Sequence, residues 1–271
     1  MQLQEQIISA INTTLKNPIY QTMQLLNIKT ILKSANFVKK REGANPYLVV
    51  LHFVYMLVMN KKISTFMNQS NDSLKKDTYY RLLQNSHYNW RKLLSLTNIK
   101  ILKLLHKVQD PKTVKVFIID DTVEGKTGKY VEGSRDALWS NKEKRTIRGI
   151  NVVSLNYSDG YSNFMLDFAI SMGNYARVKV KEFTQEVDFR TTAYKRRLEI
   201  MDGKSKLAID MVKRSLKSGV YADYLLVDSW YSKPAFLKEM NDLGLKVISR
   251  IANNNKIWNF QDKEKTLNAI Y

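Results

Sequence analysis

The sequence predicts an α/β fold, in which a helical segment is followed by a mixed sheet with flanking helices. Two unbroken apolar runs, at residues 116–119 and 224–227, are each followed directly by aspartate. Runs of aliphatic and β-branched residues of this length indicate strands that are buried on both faces. Before residue 110 the apolar residues instead recur at helical spacing, and strand-like alternation is scarce.

The charge balance points to a polyanionic partner. The 271 residues include 44 Lys and Arg against 25 Asp and Glu, which gives a net charge of +19 and a pI near 9.8. A charge this large exceeds what solubility needs and favours nucleic acid. The first 110 residues are the more basic part, with 16 basic and 5 acidic side chains.

Residue usage also limits the kind of metal site. The chain has no Cys, and its three His residues, His52, His87 and His106, are widely spaced. Disulfides, thiolate sites and a zinc constellation are therefore excluded, and any metal ion must be bound by oxygen.

Neither a signal peptide nor a membrane span is expected. The first six residues lack the basic head and apolar middle of a signal peptide, so the protein is expected in the cytoplasm. The apolar run at residues 47–59 has 13 residues and contains His52, which makes it too short to cross a bilayer. A buried helix is the better interpretation.

Residues 63–83 have the pattern of a helix-turn-helix. A short helix, a polar turn at residues 68–73 and a second helix capped by Ser73 or Asp77 are predicted. Lys75, Lys76 and Arg81 then lie near the front of a candidate recognition helix and would contact DNA. The alternative is an ordinary helical hairpin with a solvated charged face.

Pro111 marks the boundary between two predicted domains, a helical, DNA-binding-like domain at 1–110 and a sheet domain at 111–271. After the first strand come a basic loop at 124–148 and two strands joined at Asp159-Gly160, a strong hairpin signal. A helix at 204–218, the second aspartate strand, a helix at 234–243 and a strand at 245–251 complete the order.

This element order is the ribonuclease H-like arrangement. In it the strand after the first helix lies beside the first strand in parallel, so Asp121 or Asp120 would face Asp228 across neighbouring strand ends. Carboxylates in this position can hold magnesium ions roughly 4 Å apart, the separation used for two-metal cleavage of a phosphodiester.

Four short motifs carry a family resemblance. They are Ile118-Ile-Asp-Asp-Thr, Lys126-Thr-Gly-Lys, Ile147-Arg-Gly-Ile-Asn ahead of the hairpin, and Leu226-Val-Asp-Ser-Trp-Tyr. In this order the motifs resemble the DDE transposases of bacterial insertion sequences, the insertion-sequence-four superfamily, over residues 45–271.

The resemblance implies cleavage and rejoining of DNA at element ends, usually by a dimer. It implies Mg²⁺, replaceable by Mn²⁺, held by two aspartates and a glutamate, with Asp121 as the first ligand and Asp228 as the second. Asp120 is the fallback, because neighbouring strand residues point to opposite faces.

The third acid of the family is the point of departure. The family places it on a helix well beyond the second aspartate, whereas this sequence ends 43 residues after Asp228 and lacks the Tyr, Arg, Glu, Lys signature. Glu264, 36 residues after Asp228, is the available substitute. A truncated transposase with an incomplete site is therefore expected. The alternative is a DNA-binding remnant or regulator without catalysis.

Further side chains have two interpretations each. Phosphate contacts are predicted for Arg250, on the strand beside Asp228, and for basic residues of the loop after the first aspartate. These loop residues are Lys126, Lys129, Lys142, Lys144, Arg145 and Arg148. A solvated charged loop is the alternative, and for Arg250 a surface ion pair. Trp139, Trp230 and Trp258 can stack on unpaired bases, although core packing is favoured for Trp230. Asp167 is expected on the hairpin surface.

Overall fold

A computed structural model describes residues 17–38, 43–69, 74–128, 131–172, 186–250 and 257–266. The chain divides into two compact units. The first, here called the helical unit, comprises Met1–Asp110 and Gln185–Leu198, and the second, the sheet unit, comprises Pro111–Thr184 and Glu199–Tyr271. The predicted division at residue 110 does not include the return of residues 185–198 to the helical unit.

The helical unit is built from short helices around an apolar core. Its helices are α1 (Pro18–Leu25), α2 (Ile28–Ser34), α3 (Pro46–Val58), α4 (Ile63–Gln69), α5 (Lys76–Gln84), α6 (Trp90–Leu105) and, after the return, α7 (Thr192–Glu199). Asparagine side chains accept backbone N–H bonds at the starts of α1, α3 and α6, which satisfies donors that a helix start leaves free. Thr192 Oγ1 donates to the carbonyl oxygens of Ser86 and Tyr88, both at 2.9 Å, and so holds the returning segment.

The predicted cap of the second helix in the 63–83 segment is wrong. Helix α5 begins at Lys76 with Lys75 at its N-cap and no side-chain cap bond, so Asp77 lies inside the first turn. Ser73 lies outside the described residues. Tyr79 faces the core, where its hydroxyl lies 2.9 Å from His52 Nδ1, whereas Lys75, Lys76 and Arg81 are exposed.

The sheet unit contains a mixed sheet whose strands are ordered β2-β3-β1-β5-β6, with β4 also paired to β3. These strands are β1 (Val116–Gly125), β2 (Arg135–Ser140), β3 (Arg145–Ser158), β4 (Asn163–Ser171), β5 (Tyr224–Val227) and β6 (Lys246–Ser249). Strand β1 is antiparallel to β3 and parallel to β5. Helices flank this sheet, so the predicted mixed α/β architecture is confirmed, and it is consistent with a ribonuclease H-like fold. The predicted loop at 124–148 is wrong in part, because it contains β2.

The β3–β4 hairpin has the predicted turn. The Asp159 carboxylate accepts the N–H groups of Tyr161 and Ser162, and Gly160 takes a left-handed φ of 86°, which suits glycine. Strand β3 also approaches β1 closely at Gly149, where a Cβ atom would collide with the Glu124 carbonyl oxygen. The glycine in the Ile147-Arg-Gly motif therefore permits the β1–β3 pairing.

Two helices pack together in the sheet unit, α8 (Lys204–Lys217) and α9 (Pro234–Asp242). Helix α8 covers β3 and β4 with an apolar face that includes the fully buried Met211. Asp167 of β4 is buried, and its Oδ2 accepts a 2.8 Å bond from Arg214 Nε of α8. The predicted surface position of Asp167 is therefore wrong.

A separate two-stranded sheet, β7 (Ile257–Phe260) with β8 (Lys263–Thr266), follows the main one. Within the described ranges, none of the helices combines the length and the apolar character that a bilayer crossing needs.

Candidate active site at the ends of β1 and β5

The predicted pairing of the two aspartate strands is confirmed. Strands β1 and β5 are adjacent and parallel, with Ile119 opposite Val227 at the last pair of the ladder. Asp120 and Asp228 each follow directly after this pair, and Asp121 comes one residue later. The pairing therefore brings the backbones of the two aspartate segments to one edge of the sheet unit.

Asp120 and Asp121 differ in environment because side chains alternate along a strand. Asp121 is on the face of the buried Ile119 and keeps only 19% of its side-chain surface exposed. Asp120 is exposed on the opposite face, where its Oδ1 accepts the Asp121 N–H at 2.8 Å.

Asp228 begins a turn of 3₁₀-helix, Ser229–Tyr231. Its Oδ1 accepts the Trp230 N–H at 3.0 Å, and its carbonyl oxygen accepts the hydroxyl of Ser249 at 3.2 Å. The carboxylate is thus oriented by backbone on one side while the residue stays exposed to solvent. Among the described residues, the other carboxylate oxygen of Asp228 has no hydrogen-bond partner and is available to a ligand.

Lys204, which the sequence analysis did not select, forms an ion pair with Asp121. Its Nζ lies 2.6 Å from Asp121 Oδ2, and 23% of the lysine side chain is exposed. Lys204 is the first residue of α8, where the helix dipole disfavours a positive charge. A lysine at the first position of a helix is unfavourable, so Lys204 could have been singled out from the sequence. Its pairing with Asp121 could not, because the two residues are 83 positions apart.

Tyr231 is the second residue that the sequence analysis missed. Its side chain is fully buried, and its hydroxyl makes no hydrogen bond within the described part of the chain. Burial raises the pKa of this hydroxyl above its ordinary value, and the negative charges of Asp121, Asp228 and Asp120 raise it further. The fields of all three carboxylates therefore act on one buried group, which remains a neutral hydroxyl.

The proposed third acid occupies a different kind of element. Glu264 lies on β8, opposite Asn259 in the two-stranded sheet, whereas its hypothetical role needs a helix. In the ranges that the structure describes, no cluster of three or more acidic or histidine side chains has the geometry to hold a metal ion.

The predicted DNA-contacting residues fall into two groups. Lys126, Arg145 and Arg148 form ion pairs with Glu124, Glu143 and Asp136, respectively. Lys142 and Lys144, in the β2–β3 turn, and Arg250, just after β6, are exposed. Lys129 lies outside the described residues.

Two of the three tryptophans predicted to stack on bases have described side chains, and both are partly exposed. Trp230 is 36% exposed and Trp139 is 58% exposed, so neither is a fully buried core residue. The side chain of Trp258 lies outside the described part.

Comparison with known proteins assigns the family. No curated protein matches the chain. The sequence profile of the DDE superfamily endonucleases matches residues 67–266, about three quarters of the chain. That span includes β1, β5 and the aspartates that follow their pairing. The chain therefore belongs to the DDE superfamily of endonucleases.

Proposed function

We propose that this protein is a transposase that cleaves and joins DNA through divalent-metal chemistry on phosphodiesters. The observation that carries the proposal is the parallel pairing of β1 and β5, which brings the segments of Asp120, Asp121 and Asp228 together. Membership of the DDE endonucleases supplies the reaction class. DNA as the substrate also agrees with the net charge of +19.

Asp121 and Asp228 are the residues that would hold a divalent cation, with Asp120 as the alternative to Asp121. Carboxylate oxygens are the ligands that Mg²⁺ and Mn²⁺ prefer. The Lys204 ion pair supports this assignment, because Asp121 already binds a cationic group, the ammonium 2.6 Å from its Oδ2. When bound, the metal would activate the attacking oxygen and stabilise the charge on the phosphate.

The residues around the carboxylates would have distinct tasks. Asp228 is oriented by the Trp230 N–H, so one of its oxygens is fixed before any ligand arrives. Tyr231 stays neutral and lines the site without adding a further anion. Phosphates of the two DNA strands would be bound by exposed cations, for which Lys75, Lys76, Arg81, Lys142, Lys144 and Arg250 are the candidates.

Nicking of supercoiled plasmid in Mg²⁺ or Mn²⁺ tests this proposal. Asp228→Asn is expected to reduce nicking by about 10²-fold or more, because loss of a group that stabilises transition-state charge typically costs this much. Asp202→Asn removes a surface carboxylate that pairs with Lys206 and serves as the matched control. Equal nicking by the two variants would contradict the assignment of Asp228.

A second candidate function is DNA binding without cleavage, as in a regulator of another transposase. The observation that favours it is the position of Glu264, the candidate third acid, on a strand of the separate two-stranded sheet instead of on a helix. This alternative is supported if the wild-type protein binds DNA but leaves it intact in both metals. A homodimer on two DNA ends belongs to the first proposal, and light scattering of the DNA complex would detect it.

A further inference from the structure

Trp230 presents an aromatic ring beside the carboxylates, with two ammonium groups over it. Lys233 Nζ lies 4.0 Å from the centre of the indole ring, and Lys204 Nζ lies 5.2 Å from it. The ring is 36% exposed, whereas the neighbouring Tyr231 is fully buried. Packing in the core therefore accounts for Tyr231 but not for Trp230.

The indole ring is held in place by its neighbours. Tyr231 packs edge-on against it, with 4.9 Å between ring centres, and Tyr231 in turn packs on Phe236 at the start of α9. The backbone N–H of Trp230 donates to Asp228 Oδ1, and Ser232 Oγ donates to the Ser229 carbonyl at 2.6 Å. A ring fixed in this way loses little conformational freedom when a ligand binds.

The two lysines are also suited to an anionic ligand. Lys233 is exposed and makes no ion pair with any described carboxylate. Lys204 shares its charge between Asp121 and the indole ring. Lysine side chains are flexible, so an ammonium group can leave the ring for a nearby phosphate while a flat group takes its place.

We propose that Trp230, Lys233 and Lys204 bind one unpaired nucleotide of DNA, with its base on the indole ring and its phosphate on the ammonium groups. A nucleotide is the ligand that combines a flat ring with an adjacent anion. The inference rests on the proposed function only in taking DNA as the ligand. It places an unpaired nucleotide directly beside Asp228, the residue before the 3₁₀ turn.

Binding of fluorescent DNA in the absence of any divalent metal tests the proposal. Two probes are used, a single-stranded oligonucleotide and a blunt duplex of the same sequence. Trp230→Ala is expected to weaken single-strand binding about tenfold, since stacking of one base on an aromatic ring typically contributes this much. Duplex binding should change by less than about twofold, and Trp230→Phe should retain most single-strand affinity.

Control variants distinguish the loss of base stacking from misfolding and from a general change in net charge. Tyr161→Ala removes an exposed aromatic side chain of the same unit, at the β3–β4 turn, and should leave both affinities unchanged. Lys233→Gln should lower the salt dependence of single-strand binding by about 0.7 in log-log slope, because one phosphate contact is lost. Lys238→Gln removes an exposed charge from α9 and should not alter the slope.

Three results would contradict the proposed nucleotide site. Equal loss of single-strand and duplex affinity in Trp230→Ala, or an effect no larger than that of Tyr161→Ala, would overturn the proposal. An unchanged salt slope in Lys233→Gln would also overturn it, and this variant keeps the test valid if Trp230→Ala fails to fold. Because no metal is present, single-strand binding can succeed or fail independently of the nicking assay.

Discussion

Helix α8 is joined to the sheet by two ion pairs that differ in their surroundings. Near its start, Lys204 pairs with Asp121 in a partly open position, where each side chain keeps about a fifth of its surface exposed. Near its end, Arg214 pairs with Asp167, whose side chain is only 5% exposed, and Arg214 Nη2 is buried with no hydrogen-bond partner among the described residues. Similar ion pairs therefore hold α8 to β4 at its end and leave the Asp121 carboxylate accessible to another cation at its start.

The largest expected effect is on stability, at the buried pair. Asp167→Ala should lower the free energy of unfolding by about 2–3 kcal/mol, because it leaves the Arg214 guanidinium partly buried without its charge partner. Urea unfolding measures the change. Asp202→Ala removes a partly exposed partner of the exposed Lys206 and should cost less than about 0.5 kcal/mol. If the two variants unfold at the same urea concentration, the buried pair does not fasten α8.

The open pair should affect metal binding more than stability. Lys204→Gln removes the ammonium group that competes with a divalent cation for Asp121, so Mn²⁺ affinity should rise about fivefold, equivalent to about 1 kcal/mol. Titration calorimetry with Mn²⁺ measures it. Lys206→Gln, two residues along the same helix, breaks only the pairs with Asp202 and Asp210 and is the matched control. Weaker Mn²⁺ binding by Lys204→Gln would show that the lysine orients Asp121 instead of competing for it.

The last effect appears only at alkaline pH and concerns the buried hydroxyl of Tyr231, near the Lys204–Asp121 pair. The pKa of Tyr231 is raised in the folded protein, so folding disfavours its ionised form, and no stability difference arises below the ordinary pKa near 10. Above that pH the unfolded chain releases this proton first, and wild-type stability should fall by up to about 1.4 kcal/mol per pH unit from this group.

Tyr231→Phe should remove this contribution, so its stability should decline less steeply than that of the wild type between pH 10 and 11. Urea unfolding at a series of pH values detects the difference. Tyr47 and Tyr88 also have raised pKa values but are unchanged in the variant, so they cancel in the comparison. Parallel stability curves would mean that neither burial nor the nearby carboxylates raise the pKa of Tyr231 in the folded protein.

Much of the strand order could be predicted because local patterns determine it. The apolar run before Asp120 and the run before Asp228 are strands in the structure, and the Asp159-Gly160 turn joins two more. Strand β2 was missed because its exposed and charged residues resemble a loop. Asp167 was misjudged because its partner Arg214 is 47 residues away on another element.

Contacts between residues distant in the chain also explain which features of the site could not be predicted. The aspartates follow strands and can be found from a local pattern, whereas the pairing of Lys204 with Asp121 depends on where α8 begins relative to β1. The preference between Asp120 and Asp121 also needs the register, since adjacent residues of a strand have equivalent local patterns. Trp230 was expected in the core, and its partial exposure depends on how the 3₁₀ turn leaves the sheet.

The return of residues 185–198 to the helical unit has a consequence for engineering and for evolution. The chain passes between the two units three times, and Thr192 bonds to backbone carbonyls of a segment about a hundred residues earlier. The helical unit is therefore not a cassette that a single splice after residue 110 can transplant. A chimera would have to carry both stretches, with two further junctions in the donor gene, to keep that unit intact.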